Sequence, residues 1–268
     1  MNGETDLLYV KARRVLLDAL DALEPHISAV ILVGAQAIYL HTGELDFAVS
    51  PYTTDADIAL DPRNLADKPQ LDQIMGQAGF VLSDQPGIWR GKDSISVDLL
   101  VPEILGGKGR RGARLKGHSN RAARKVKSLE VALVDKEDRT ITALEKADSR
   151  QCRVSVAGPG ALLVTKLHKL NERKDQTTRL KNKDALDVFR LLTAVSTTML
   201  NERLHFLNKN PLSQEATKQA MDYLKELFGS PEAAGSKMTV QALEPLEDPE
   251  TVALSCSTLA NDLFIRPL

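Results

Sequence analysis

Three aspartates have the type and spacing to hold a metal and run phosphate chemistry. Asp55 and Asp57 are two apart in Thr53-Thr54-Asp55-Ala56-Asp57-Ile58-Ala59-Leu60, and on a strand residues two apart point to the same side. Two carboxylates crowded on one face repel each other unless a cation sits between them. Hard oxygen ligands of this kind suit Mg²⁺ or Mn²⁺, which bridge to the phosphates of a substrate. Asp98 stands with Ser94 and Ser96 on the polar face of an alternating segment whose other face is Ile95, Val97, Leu99 and Val101. It completes a site if the two strands are neighbours. Three carboxylates permit a two-ion arrangement, one ion lowering the pKa of an attacking hydroxyl and the other stabilising the leaving oxygen. A bare Asp-x-Asp more often marks a solvated strand edge. What lifts this one above that reading is Val33-Gly34-Ala35-Gln36-Ala37, roughly twenty residues upstream, a strand running through glycine into a helix. The free N–H groups and positive dipole end of such a helix cradle a triphosphate.

The elements that must position these residues follow from periodicity. Leu8, Ala12, Leu16, Leu20 and Leu23 mark one face of a helix over 6–24, stopped at Glu24-Pro25. A short buried strand is expected at 28–33, a helix from there to Gly43, and a strand at 54–60 ended by Asp61-Pro62. Leu71, Ile74, Met75 and Ala78 predict a helix closed by Gly79. Short strands are expected at 80–83 and 88–90 around Gln85-Pro86-Gly87, and a half-buried strand at 94–101. Further strands are expected at 131–134, 140–143 and 153–156. From Pro159, which suits a first helical turn, the pattern is helical: a Leu163, Leu167, Leu170 stripe, then helices at 183–194, 198–207, 214–228 and 251–264. Residues 229–250, rich in Gly, Pro and Glu, read as looser. The pattern predicts an α+β protein with its strands in 1–157 and a helical region in 158–268.

Within the first of these parts, residues 106–127 carry nine lysines and arginines and no acid. Charge runs are usually solvated loops, and this one is expected to be long, mobile and exposed, with a helix near 120–127. The whole chain is nearly neutral, with 35 basic and 36 acidic side chains, so the segment makes a local electropositive patch. Arg110, Arg111, Arg114, Lys116, Arg121 and Arg124 are its candidates for holding RNA phosphates or a triphosphate. Gly106-Gly107-Lys108-Gly109 lacks the strand-to-helix context and the following Ser or Thr of a P-loop. Two distant cysteines make neither a disulfide framework nor a metal cluster, and the five histidines have no zinc spacing. Trp89 reads as a packing residue. No apolar run is long enough to span a bilayer, and the N-terminus lacks a signal-peptide pattern. A soluble, reduced, cytoplasmic protein is expected.

The phrase VGAQAIYLHTG followed by TTDADIALDP resembles the nucleotidyltransferase superfamily that includes DNA polymerase beta, whose signature is Gly-Ser or Gly-Gly, a spacer, then Asp-x-Asp. More closely it looks like the AbiEii/MenT group of toxin-type nucleotidyltransferases. The resemblance covers residues 28–101, with a second block at 158–192. It implies a nucleotidyltransferase-fold mixed sheet with flanking helices, a catalytic domain at 1–157, and a helical domain at 158–268 that completes the active site. It makes Asp55 and Asp57 metal ligands, Asp98 the third acid, and Gly34 and Ala35 the contacts to triphosphate. In the second block Lys166 and Asp184 match the family's lysine and aspartate, with Lys169 and Asp187 beside them at the nucleotide. The implied reaction moves an NMP from an NTP to an acceptor hydroxyl. By the toxin-type likeness the acceptor is the 3′ end of a tRNA or another RNA, the role is growth inhibition or phage defence, and a cognate antitoxin is a partner. The sequence departs from the signature at Ala35, where a hydroxyl is missing and only a backbone N–H meets phosphate. Two other readings stand beside this one: transfer to a small molecule or a protein side chain, and a nucleotide-binding protein without turnover.

Overall fold

The computed structural model describes residues 2–43, 53, 55–173, 180–244 and 246–264; Thr54, at the head of an expected strand, lies outside them. The chain groups into two compact units, Met1–Ala37 with Ser50–Ala157, and Ile38–Val49 with Gly158–Leu268.

The first unit is built on one sheet. Its strands are β1 (Val30–Val33), β2 (Asp55–Leu60), β3 (Val81–Leu82), β4 (Ile88–Arg90), β5 (Ser96–Pro102), β6 (Arg124–Val126), β7 (Lys136–Thr142) and β8 (Gln151–Ala157). The order is β3-β4-β5-β2-β1-β8-β7, with β6 also on β5. The sheet is mixed: β2 runs parallel to β5 and β1 parallel to β8, whereas β1 and β2 are antiparallel. The apolar run of β1 is buried throughout, as a central strand covered on both faces must be. One edge of β5 pairs with β2, and the other is shared, β4 meeting Ser96–Asp98 and β6 taking over at Leu100. Helix α1 (Asn2–Ala22) packs on β2, β5 and β8 through its apolar face, where Val15, Leu16, Ala19 and Leu20 are fully buried. Pro25 falls in the first turn of a 3₁₀ segment, Glu24–Ala29, that separates α1 from β1, so the strand begins two residues later than expected. Helix α2 (Gly34–Thr42) follows β1 directly, and α3 (Leu71–Gln77) precedes β3.

Two short elements differ from the sequence expectation. Val131–Val134 is a single helical turn, α4, not a strand; a four-residue apolar run has no periodicity by which to distinguish the two. Residues 120–127 form a turn leading into β6 instead of a helix. The basic segment as a whole is folded. Ala113, Leu115, Ala122 and Ala123 are buried in it, and Trp89, also buried, donates its indole N–H to Ala122 O at 2.9 Å. Its small apolar residues anchor what its charges suggested was mobile.

The second unit contains α5 (Pro159–Glu172), α6 (Leu180–Ala194), α7 (Thr197–Lys209), α8 (Gln214–Phe228), α9 (Ala234–Leu243) and α10 (Pro249–Asp262). Pro159 opens α5 as expected. The Ser196 hydroxyl caps α7, and the Asp248 carboxylate caps α10 by accepting from Thr251 N at 2.8 Å. Helix α9 occupies residues expected to be loose. Gly235 lies where a Cβ would come within 2.6 Å of Leu227 O and 2.7 Å of the Phe228 ring. The glycine that weakens helix propensity is the one that permits the close approach, so tertiary packing overrides propensity here. Among the described residues no helix is long and apolar enough to cross a membrane.

Candidate active site

The register of two strands gathers the aspartates. In the parallel pair β2–β5, Asp55 stands opposite Ser96 and Asp57 opposite Asp98. Both strands alternate half-buried and buried in phase, with Ala56 and Val97 turned into the core and the three aspartates on the other face. Asp57 also pairs with Val33 at the end of β1, which sets it beside the start of α2. Gly34 has φ +72°, and a Cβ there would overlap Asp57 Oδ2 and come 2.9 Å from its Cγ. The glycine is therefore required twice, by conformation and by the carboxylate it faces. An open cleft of about 420 Å³ lies over this face, lined by Asp55, Asp98, Ser96, Ile88 and Ile95.

The three carboxylates are held differently. Asp55 Oδ1 accepts from the Thr53 hydroxyl at 2.6 Å. Asp98 Oδ2 accepts from Arg124 Nη2 at 2.6 Å, with the aspartate side chain 13% exposed. Among the described residues no three His, Cys, Asp or Glu side chains are gathered closely enough to ligate one ion. The donor set still fits a hard divalent cation. Mg²⁺ is commonly held by one or two carboxylates together with substrate phosphates, and Asp55 and Asp57 share a face beside a helix N-terminus. Asp98 shares the face with its Oδ2 engaged by Arg124.

Arg124 is thus committed to an acid, where the sequence suggested a free cation for nucleic acid. Of the other candidates, Lys116 pairs with Asp67 and Arg121 donates to Ser83 O and Asp84 O. Arg110, Arg111 and Arg114 are exposed.

In the second unit, helices α5 and α6 bring Lys166, Asp184 and Asp187 together. Lys166 Nζ donates to Asp184 Oδ1 at 2.8 Å and to Asp187 Oδ2 at 2.6 Å, and all three side chains are less than 10% exposed. Burial alone would lower the lysine pKa, but two adjacent carboxylates outweigh it and raise it. Burial likewise works to raise the Asp184 carboxyl, and Lys166, Lys169 and Arg173 together bring it down to about 2. Lys169 and Arg173 reach Asp184 at 3.3 Å from side chains 41% and 36% exposed. The lysine expected to face phosphate is enclosed by its own helices, and the accessible cations of the cluster are Lys169 and Arg173.

Sequence reasoning passed over the buried polar residues behind Asp55, namely Arg13, Gln36 and Thr53. A signal existed for Gln36, an amide in the otherwise apolar run Ala35-Gln36-Ala37-Ile38.

A mixed sheet that presents aspartates from two adjacent parallel strands beside a glycine-led helix defines a protein of the nucleotidyl-transfer class. A family model described as Nucleotidyltransferase matches residues 12–211, and the chain belongs to that family. It is a transferase of phosphorus-containing groups whose donor is an NTP. Comparison with curated proteins and with solved structures finds no match.

Proposed function

We propose that this nucleotidyltransferase moves an NMP onto a hydroxyl of an RNA acceptor, by its toxin-type likeness the 3′ end of a tRNA, with Asp55, Asp57 and Asp98 as metal-binding acids. The observation that carries the reading is the register pairing of Asp57 with Asp98, with Asp55 on the same face and Gly34 against Asp57. Mg²⁺ or Mn²⁺ held by these acids supplies neutralisation of the triphosphate and a lowered pKa for the acceptor hydroxyl. Backbone N–H groups at Gly34 and Ala35 receive phosphate oxygens at the positive end of α2. The acceptor oxygen bonds to the α-phosphorus, the bond to the bridging oxygen breaks, and pyrophosphate leaves. The hydroxyl proton passes to a carboxylate of the cluster or to water.

Within the helical region 158–268, Lys166 is enclosed by Asp184 and Asp187, and the accessible cations of that cluster, suited to an anion, are Lys169 and Arg173. On the acceptor side, Arg110, Arg111 and Arg114 are the exposed cations that suit RNA phosphates. The internal commitments of Lys116, Arg121 and Arg124 favour a second reading, in which a small molecule or a protein side chain is the acceptor. A cognate antitoxin belongs to the first reading.

The test incubates wild type and an Asp55→Ala/Asp57→Ala variant with each labelled NTP, Mg²⁺ and total RNA. Label on tRNA from wild type alone is the expected result and names the donor. Label on protein or small molecules with RNA left blank moves the acceptor to the second reading. No label from folded wild type, under conditions where a control enzyme works, leaves a nucleotide binder without turnover.

A further inference from the structure

Behind Asp55 runs a chain of buried hydrogen bonds that its burial alone does not call for. Arg13 of α1 is 3% exposed, and Gln36 and Thr53 are each 1% exposed. Arg13 Nε donates to Gln36 Oε1 at 3.0 Å, Nη1 to Thr142 O at 3.2 Å, and Nη2 to the Tyr9 hydroxyl at 2.8 Å. Gln36 Nε2 donates in turn to Asp55 O at 3.2 Å and Ala12 O at 3.3 Å. Thr53 completes the set by donating to Asp55 Oδ1 at 2.6 Å.

The chemistry of these donors fixes their directions. A guanidinium only donates, so the oxygen of Gln36 must face Arg13 and its NH₂ must face the Asp55 carbonyl. The amide cannot flip without losing its three bonds, to Arg13, Asp55 O and Ala12 O. Among the described residues no carboxylate lies within ion-pair distance of Arg13, and its three hydrogen bonds there go to neutral acceptors. Burying a charge is costly unless its hydrogen bonds are made, and an apolar side chain would fill the same space at less cost. What the arrangement gains is a fixed main chain and a fixed carboxylate at one residue.

We propose that Gln36, oriented by Arg13, and Thr53 are positioning residues for Asp55. Gln36 fixes the backbone at the head of β2 and Thr53 occupies Oδ1, so that the carboxylate meets the cleft in one orientation. Partners behind a metal ligand of this kind set its orientation and basicity, and removing one typically costs about 10–100-fold in metal affinity or activity. The proposal rests on the reading of Asp55 as a metal-binding acid, and the experiment separates failure of the two.

Binding of Mn²⁺ alone is followed by electron paramagnetic resonance for wild type, Asp55→Ala, Thr53→Val, Thr53→Ser, Gln36→Met and Arg13→Met, each checked for folding by circular dichroism and thermal melting. Wild type is expected to bind, Asp55→Ala to lose the site, and Thr53→Val and Gln36→Met each to bind at least about tenfold more weakly. Thr53→Ser, which keeps the hydroxyl, should stay within about threefold of wild type on the same scale. In transfer assays Thr53→Val and Gln36→Met should lose kcat with little change in KM for the NTP. Thr53→Val and Gln36→Met that bind Mn²⁺ as wild type does, while Asp55→Ala does not, overturn the relay and leave the site reading intact. Wild type that binds no Mn²⁺, or Asp55→Ala that binds it normally, removes the site reading and the relay with it. Should Arg13→Met or Gln36→Met fail to fold, Thr53→Val and Thr53→Ser decide the matter between them.

Discussion

At the scale of single residues, the site depends on contacts too close to absorb change. Gly34 faces the Asp57 carboxylate with a left-handed backbone and no room for a methyl group. Gly34→Ala must displace either the aspartate or the first turn of α2. A shift of about 1 Å at a reacting group can cost on the order of 10²-fold in rate, so label transfer should fall by that order. The melting temperature should change by only a few degrees, because the strain is local. Transfer within threefold of wild type would mean that Asp57 and the helix start move freely, against the tight packing seen. Both glycine and carboxylates were legible in the sequence, since alternation on a strand fixes which side chains share a face. The pairing of Asp98 with Arg124 was not, because the partner is brought in by β6, whose register depends on the folded basic segment.

At the scale of elements, that basic segment is held by its histidine. His118 accepts from Leu71 N at 3.1 Å through Nδ1 and donates through Nε2 to Ala66 O at 2.9 Å. The first bond requires the neutral ring, because a protonated Nδ1 can only donate; the second is made by either form. Burial lowers the His118 pKa, with His26 at 5.5 Å adding to the effect, while the bond to Ala66 and the charges of Asp72 and Asp67 oppose it. In the unfolded chain the ring protonates as pH falls through about 6.5, whereas in the folded protein it stays neutral to lower pH. Stability from this group is therefore full above that value and drains away as pH falls towards the folded pKa. The melting temperature should drop between pH 7.5 and 5.5, and His118→Gln, which keeps an acceptor and a donor, should drop less. His168, also lowered by burial, leaves a residual slope of the same sign in the second unit. Equal slopes for wild type and variant would show that the anchor does not titrate. Composition pointed to a mobile loop here because charge runs are usually solvated; the decisive residues are the three buried alanines and one buried leucine between the charges. Helices α5 to α8 were legible for the opposite reason, since their apolar stripes repeat over several turns.

At the scale of the molecule, the family assignment spans residues from α1 to α7, so strands and helices together carry the likeness. The second unit is joined internally by Lys166, whose two carboxylate partners would be left buried and mutually repelling without it. Breaking a buried pair in this way costs about 3–5 kcal/mol. Lys166→Met should lower unfolding stability in urea by that amount, whereas Lys169→Ala, which removes only a half-exposed partner of Asp184, should cost under about 1 kcal/mol. A loss from Lys166→Met no larger than from Lys169→Ala would mean that the triad is not structural. Because Asp184 is held low and Lys166 high, that pair keeps its charges from mild acid to mild alkali, and the pH sensitivity expected near neutrality belongs to histidine.

Helix α2 changes allegiance midway, Gly34–Ala37 grouping with the sheet and Ile38 onward with the helices. The chain therefore leaves the first unit, enters the second, returns, and leaves again. Cutting the chain after Ala157 would therefore part Ile38 and Tyr39, buried as they are, from the helices they group with, so neither unit can be produced as one uninterrupted stretch of chain.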